Sequence, residues 1–298
     1  MTTARCILAD KTYFITRRCS DRRFFLKPDP VVTAVFLYCL AVAAERHGVE
    51  IHAVCVMSNH YHLVLTDVRG ELPLFMAWLN RHTAICLKIH RKRAGDLWAA
   101  SEKYSAVELV SPEAEWKYVL YTLTNPTKAG LVRHGRDWPG LLLGPEAWLR
   151  EPVEAPHPGL FFKASDKPAP VLRLVPPPTL MDREPQALVG ELSVALEERE
   201  NDIAAELARE GRRFLGRRAV LRQRPYDRPA KNNPPGTRNP VFAAVTAEAR
   251  RAAVKALRSF RAWYRHAYQC FCQGERHTEF PPGTWGMARR FGAQVAAV

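Results

Sequence analysis

Carboxylates are scarce in this sequence. Asp and Glu number 30 against 44 Lys and Arg, which leaves a formal charge of +14 over 298 residues. Cysteine is thin as well: there are seven, an odd number, and they are scattered. Only Cys270 and Cys272 stand close together, and no second pair has the spacing of a thiolate metal site. The expectation is reduced thiols in a cytoplasm. No apolar run reaches the ~20 residues that a membrane span needs. The longest, VVTAVFLYCLAVAA at Val31–Ala44, reads as a core helix, and no membrane partner is expected. The opening MTTARCILADKTYF lacks an apolar stretch followed by a small-residue cleavage site, so no signal peptide is read there. A G-x-x-x-x-G-K-[ST] phosphate loop is missing too. No internal repeat is present.

What remains is an ordinary globular composition, 47% hydrophobic, carrying an excess of cations. Such an excess favours a polyanionic partner, most simply nucleic acid. KTYFITRR (Lys11–Arg18) is rich in strand formers. Pro28 and Pro30 precede an apolar helix from Val31 to about His47, which Gly48 stops. VEIHAVCVM alternates as a strand, SN turns, and HYHLVL returns. A helix is expected from about Leu72 to Ala94, ending in the basic run KIHRKR, then a strand in KYSAVELVS. The next helix starts at Pro112 behind Ser111 as its N-cap. It should end near Asn125, because Pro126 biases its predecessor away from helix. This order predicts an α+β fold over residues 1–150, an antiparallel sheet with helices packed on it. Residues 151–183 are proline-rich and read as a linker or wrapping chain rather than packed structure. Residues 184–298 read as a basic, mainly helical region that binds DNA or dimerises. In it a helix runs from about Glu184 to Ala219, a loop follows, and an amphipathic helix spans Val241 to about Cys272.

The chemistry concentrates in two places. In a strand, His60 and His62 project from the same face, with Tyr61, Leu63 and Leu65 on the other. Two imidazoles on one face can converge on a divalent cation, although a lone H-x-H pattern is a weak sign and needs further ligands. The helix from Pro112 places Tyr121 and Asn125 four residues apart, on one face. An amide oxygen suits a hard cation, and a tyrosine hydroxyl can attack phosphorus. Singly, each residue also reads as ordinary structure: a core tyrosine, and a helix C-cap before a proline.

Taken together, the motifs resemble a known family. VMSNHYHLVL followed some sixty residues later by YTLTNPTKAGLV is similar to the single-tyrosine HUH transposases, named for His, bulky hydrophobe, His. The REP-associated tyrosine transposases are the nearest group. GDLWAASEKYSAVEL, between the two motifs, resembles a further segment of that family. The resemblance covers about residues 11–140. Ser58 stands where the family often has Pro, and the chain after about Arg150 is longer than the minimal family form.

The resemblance implies a ferredoxin-like HUH endonuclease core. It implies Tyr121 as nucleophile, with Tyr118 as a competitor, and His60, His62 and Asn125 as ligands of Mg²⁺ or Mn²⁺. The partner it implies is single-stranded DNA bearing hairpins, REP-like palindromes, cut by a monomer or homodimer through a 5′-phosphotyrosine. Candidate DNA contacts are Arg17 and Arg18, then Lys88, Arg91, Lys92 and Arg93. Further on, Arg212, Arg213, Arg217, Arg218, Arg222 and Arg224 lie among the aromatics Phe214 and Tyr226, a pattern that suits phosphate contact plus base stacking. Two other readings compete: a domesticated hairpin binder that does not cut, and an unrelated H-x-H metallohydrolase. The intact tyrosine, histidine and asparagine set argues against the first. The charge, and the lack of carboxylates near the histidines other than Asp67, argue against the second.

Overall fold

The computed structural model describes residues 4–100, 103–159, 161–162, 168–229 and 240–297. Part of the proline-rich stretch and most of the loop before Val241 therefore lie outside the described residues. The first half of the chain is a split β-α-β unit, β1 (Lys11–Arg18), α1 (Pro30–His47), β2 (Val49–Val56), β3 (His60–Asp67), α2 (Leu72–His90) and β4 (Ser105–Leu109). Local chemistry sets its punctuation. Asp29 caps α1 by accepting the Val32 N–H (2.8 Å), and Pro30 opens the helix where a missing N–H costs nothing. Gly48 closes it with φ +58, a left-handed conformation that glycine adopts freely.

The sheet runs β5-β2-β3-β1-β4-β8, with β5 at Leu142–Leu143 and β8 at Phe242–Ala243. β4 pairs with β8 in parallel, so the sheet is mixed rather than purely antiparallel. Every other pairing in it is antiparallel, as expected. Alternation along the strands divides it into two faces. Tyr13, Ile15, Tyr61, Leu63 and Leu65 join the main core beneath α1 and α2. Phe14, Ala53, Val64 and Val107 face the other way, onto α3 (Pro112–Lys128) and α4 (Pro185–Arg209). Although α1 is long and apolar enough to cross a membrane by length and composition alone, Val35, Phe36, Cys39 and Leu40 place it in that first core.

Four expectations need correction. α3 does not end at Asn125. It continues through Pro126 to Lys128, because Thr127 is buried there within reach of Glu200 on α4 (3.4 Å) and the last turn is held by packing. α2 stops at His90, short of Ala94, and Lys92 turns the chain with φ +50. The described part of 151–183 is packed: β6 (Val153–Glu154) pairs with β7 (Val171–Leu172), the Val175 N–H reaches the Ile51 carbonyl (3.1 Å), and Leu172, Leu174 and Leu180 are buried. The helix read over 184–219 is two, α4 and the short α5 (Arg217–Arg222), with extended chain between. The last helices, α6 (Ala247–Cys272) and α7 (Trp285–Phe291), form a small core of their own around Ala267, Phe271, Phe280 and Met287.

Candidate active site

His60 and His62 do leave the same face of β3, and α3 lies across it. Their rings meet edge to face with centroids 4.7 Å apart. Phe14, from the neighbouring β1, stacks on His62 at 5.1 Å. Tyr121 descends from α3 so that its ring lies 5.8 Å from His62 and 5.5 Å from Phe14. Asn125, one helical turn further, donates through Nδ2 to the Tyr121 carbonyl (2.9 Å), which turns its amide oxygen away from that carbonyl. The four residues that the motifs singled out thus converge. The histidines are not exposed, however, since α3 closes over them. His62 is only 4% exposed and His60 is half-buried.

The hydrogen bonds decide which ring atoms are free. His60 Nδ1 donates to the Asn59 side-chain oxygen (2.6 Å), so its Nε2 keeps a lone pair. His62 Nδ1 pairs with the Thr16 hydroxyl (2.9 Å). His62 Nε2 is buried and makes no hydrogen bond of good geometry, although the Asn125 side chain is close enough to act on the ring. A buried polar atom left unmatched is uncommon and asks for an explanation. Two neutral imidazoles and an amide oxygen are donors that a divalent cation could use. Among the described residues no group of three or more His, Cys, Asp or Glu gathers, so any such site rests on this mixed set.

Electrostatics keep the rings neutral. Burial, with the Arg18 and Arg22 charges adding to it, pushes His60 down to about 3. Burial first, then His60 and Arg18, holds His62 well below the usual imidazole range, with Asn125 opposing. Neutral imidazole is the form that binds metal. Tyr118 also touches Phe14 (4.7 Å), but burial raises the affinity of its hydroxyl for its proton. It is Tyr121 that contacts His62, and the Lys128 ammonium stands 5.0 Å from the Tyr121 ring centre.

The candidate DNA contacts divide. Arg18 is exposed on the histidine face. Arg17 is corrected to the opposite face, over Trp98 (6.0 Å). Arg91 is corrected too: its side chain is 7% exposed and bonds Asp29 at 2.6 Å, so it fastens α2 to the start of α1. Arg93 lies over the Phe25 ring (4.4 Å) and bonds the Asp96 carbonyl and the Ser20 hydroxyl. Lys88 is partly exposed and Lys92 exposed. Arg212 pairs with Glu210 (3.0 Å) and Arg217 reaches the Asp137 carbonyl (3.3 Å). Arg213, Arg218, Arg222 and Arg224 are exposed. Tyr226 is an anchor, its hydroxyl donating to the Arg91 carbonyl (3.1 Å). Sequence reasoning missed Phe14, Thr16 and Asn59. Counting by twos back from Arg18 finds the first two, and Asn59 sits in the turn already read.

Residues 9–120 match the family model described as "Transposase IS200 like". Two solved structures are similar. One, a REP-associated tyrosine transposase bound to a REP hairpin, is 18% identical over 46% of this chain and 78% of its own, with a TM-score of 0.39. The other, a putative transposase from Deinococcus radiodurans R1, is 23% identical over 41% of this chain and 95% of its own, with a TM-score of 0.31. No curated relative matches the chain significantly.

Proposed function

We propose that this chain, whose residues 9–120 match the IS200-like transposase model, cuts and rejoins single-stranded DNA beside hairpins, with Tyr121 as nucleophile. The observation that carries the reading is the convergence of Tyr121, His60, His62 and Asn125 around an unpartnered buried imidazole nitrogen. In the proposed step the Tyr121 oxygen attacks the scissile phosphorus. A tyrosyl O–P bond forms, the P–O3′ bond breaks, and the phenolic proton ends on the departing 3′-oxygen. The products are a 5′-phosphotyrosine and a free 3′-hydroxyl. A second 3′-hydroxyl reverses the step and joins strands. One phosphoester is exchanged for another, so no nucleotide need be spent.

Each residue has a stated part. His60 and His62 offer Nε2, and Asn125 offers its amide oxygen, to Mg²⁺ or Mn²⁺, which when bound would supply Lewis-acid polarisation of the phosphate. Asn59 and Thr16 hold the two rings by their Nδ1 atoms. Phe14 packs between His62 and the two tyrosines and keeps the tyrosine ring upright against the histidines. Arg18, exposed and close enough for its charge to act on His60, would meet the substrate backbone. Transfer of this kind depends mostly on positioning and charge, which is what these groups provide. Tyr121→Phe removes the attacking oxygen and little else. It should abolish the covalent protein–DNA adduct on a denaturing gel and leave hairpin binding within about twofold. An adduct that survives Tyr121→Phe and disappears in Tyr118→Phe moves the nucleophile one turn along α3.

A further inference from the structure

The turn that presents His60 is held by a part of the chain 165 positions later. Residues 211–228 cross the end of the sheet as a strap. At one side the N–H groups of Leu215 and Gly216 donate to the carbonyls of Gly130 and Leu131, both at 2.9 Å, where the chain leaves α3. In the middle Val220, fully buried, packs with Cys55, Met57, Val132 and Trp138. Gln223 Oε1 then accepts a hydrogen bond from the Ser58 hydroxyl (2.8 Å), and Ser58 is 3% exposed. Beyond it the Phe24 N–H donates to the Asp227 carbonyl (3.0 Å), and Tyr226 sets its ring edge-on to Phe25 (5.4 Å). The strap therefore joins the exit of the helix that carries Tyr121 and Asn125 to the turn before His60 and to the loop after β1.

We propose that Gln223 and Ser58 are positioning residues that fix the turn Met57–Asn59 and, through Asn59, the tautomer and aim of His60. Asn59 is the link. Its Nδ2 donates to the Arg22 carbonyl (3.1 Å), which leaves its oxygen turned to accept from His60 Nδ1 (2.6 Å). The turn's backbone is also held by the Leu26 N–H on the Ser58 carbonyl (2.9 Å) and the Cys19 N–H on the Asn59 carbonyl (2.8 Å), so the strap's share is the fine aim of the Asn59 side chain, which loosens when Ser58 is released. The importance of His60's aim rests on the reading given under Proposed function, but the geometry does not. The site is thus braced by Gln223, which lies outside the matched stretch 9–120.

The experiment uses the full chain with Gln223→Leu, Ser58→Ala, and Gln223→Glu, which keeps an oxygen acceptor for the serine. Three readouts are compared at equal melting temperature: the His60 tautomer by two-bond ¹H–¹⁵N correlation, Mn²⁺ affinity, and adduct yield. Wild type should show one His60 tautomer, protonated on Nδ1. Gln223→Leu and Ser58→Ala should average it and weaken Mn²⁺ binding by about tenfold, the low end for loss of a group behind a metal ligand. The double change should be no worse than either alone, and Gln223→Glu should behave as wild type. An unchanged tautomer in Gln223→Leu, or losses that track melting temperature and are shared by Gln223→Glu, overturns the proposal. If the tautomer loosens as expected while wild type forms no adduct, the positioning role stands and the Tyr121 mechanism falls.

Discussion

At the scale of residues, the pattern His60-Tyr61-His62 needs only strand alternation to put both imidazoles on one face. Alternation also assigns Phe14, Thr16 and Arg18 to that face across the β1–β3 pairing. Burial was not legible, because it comes from α3, whose docking no local pattern states. It matters to the chemistry. The same burial that holds both histidines neutral leaves Nε2 of His62 unmatched. If the histidines and Asn125 share one cation, EDTA and the paired change His60→Ala/His62→Ala should fail at the same step. Both should lower cleavage at least a hundredfold and leave hairpin retention in a gel-shift assay nearly intact. Asn125→Ala should be the mildest ligand change, at about tenfold, since water can replace an amide oxygen, and Mn²⁺ should serve at least as well as Mg²⁺. Cleavage that proceeds undiminished in EDTA would return the two histidines to a structural role.

At the scale of elements, the regular pieces were readable and their ends were less so. β1, α1 and the β2–β3 hairpin follow from propensity, a capping Asp29 and a stopping Gly48. Prolines were the poor guide. Pro126 lies inside α3, and Leu172, Leu174 and Leu180 of the proline-rich stretch pack on the core, because tertiary contacts outweigh a local bias. Glu200 shows how. Buried on α4, it accepts the Gly135 N–H (2.5 Å) and pairs with His134 (2.8 Å), tying α4 to the exit of α3. Glu200→Ala leaves that N–H buried without an acceptor, which costs on the order of 1–3 kcal/mol. Urea unfolding should register that loss, and the adduct yield should fall with it only where the fold itself has been lost. A change below about 0.5 kcal/mol would mean that α4 is held by its apolar face alone.

At the scale of the whole molecule, the cationic surplus was evident from composition, but its distribution was not. Arg91 is consumed by Asp29, 62 positions away, and no local reading pairs them. The exposed cations that remain, Arg18, Lys92, Arg213 and Arg218 among them, should make binding strongly salt-dependent. With roughly 6–10 phosphate contacts, affinity drops on the order of 10³–10⁵ between ~50 and ~200 mM salt, and the lower end is expected for a largely single-stranded site. A titration flat over that range removes these cations from the DNA interface. Acid should also unfold the protein early. His52, buried and bonded to the Val175 carbonyl and Thr66, is pushed down to about 4, and His60 and His62 are depressed as well. Because their folded affinities for protons lie below the unfolded value of about 6.5, the stability they contribute is full above that pH. It is lost as pH falls towards the folded values, at up to about 1.4 kcal/mol per pH unit for each histidine. Denaturant midpoints should hold between pH 8 and 7 and decline below 6.5. A midpoint level down to pH 5 would contradict the buried neutral state.

The proposed reaction stands on a covalent bond between Tyr121 and the 5′ side of a cut single strand. It is tested most directly by labelling a hairpin-flanked strand at either end and mapping the adduct by peptide mass spectrometry. The 3′-labelled piece should stay with the protein, on the peptide containing Tyr121, while the 5′-labelled piece leaves with a free 3′-hydroxyl. Retention of the 5′-labelled piece, or an adduct on any other residue, would contradict it.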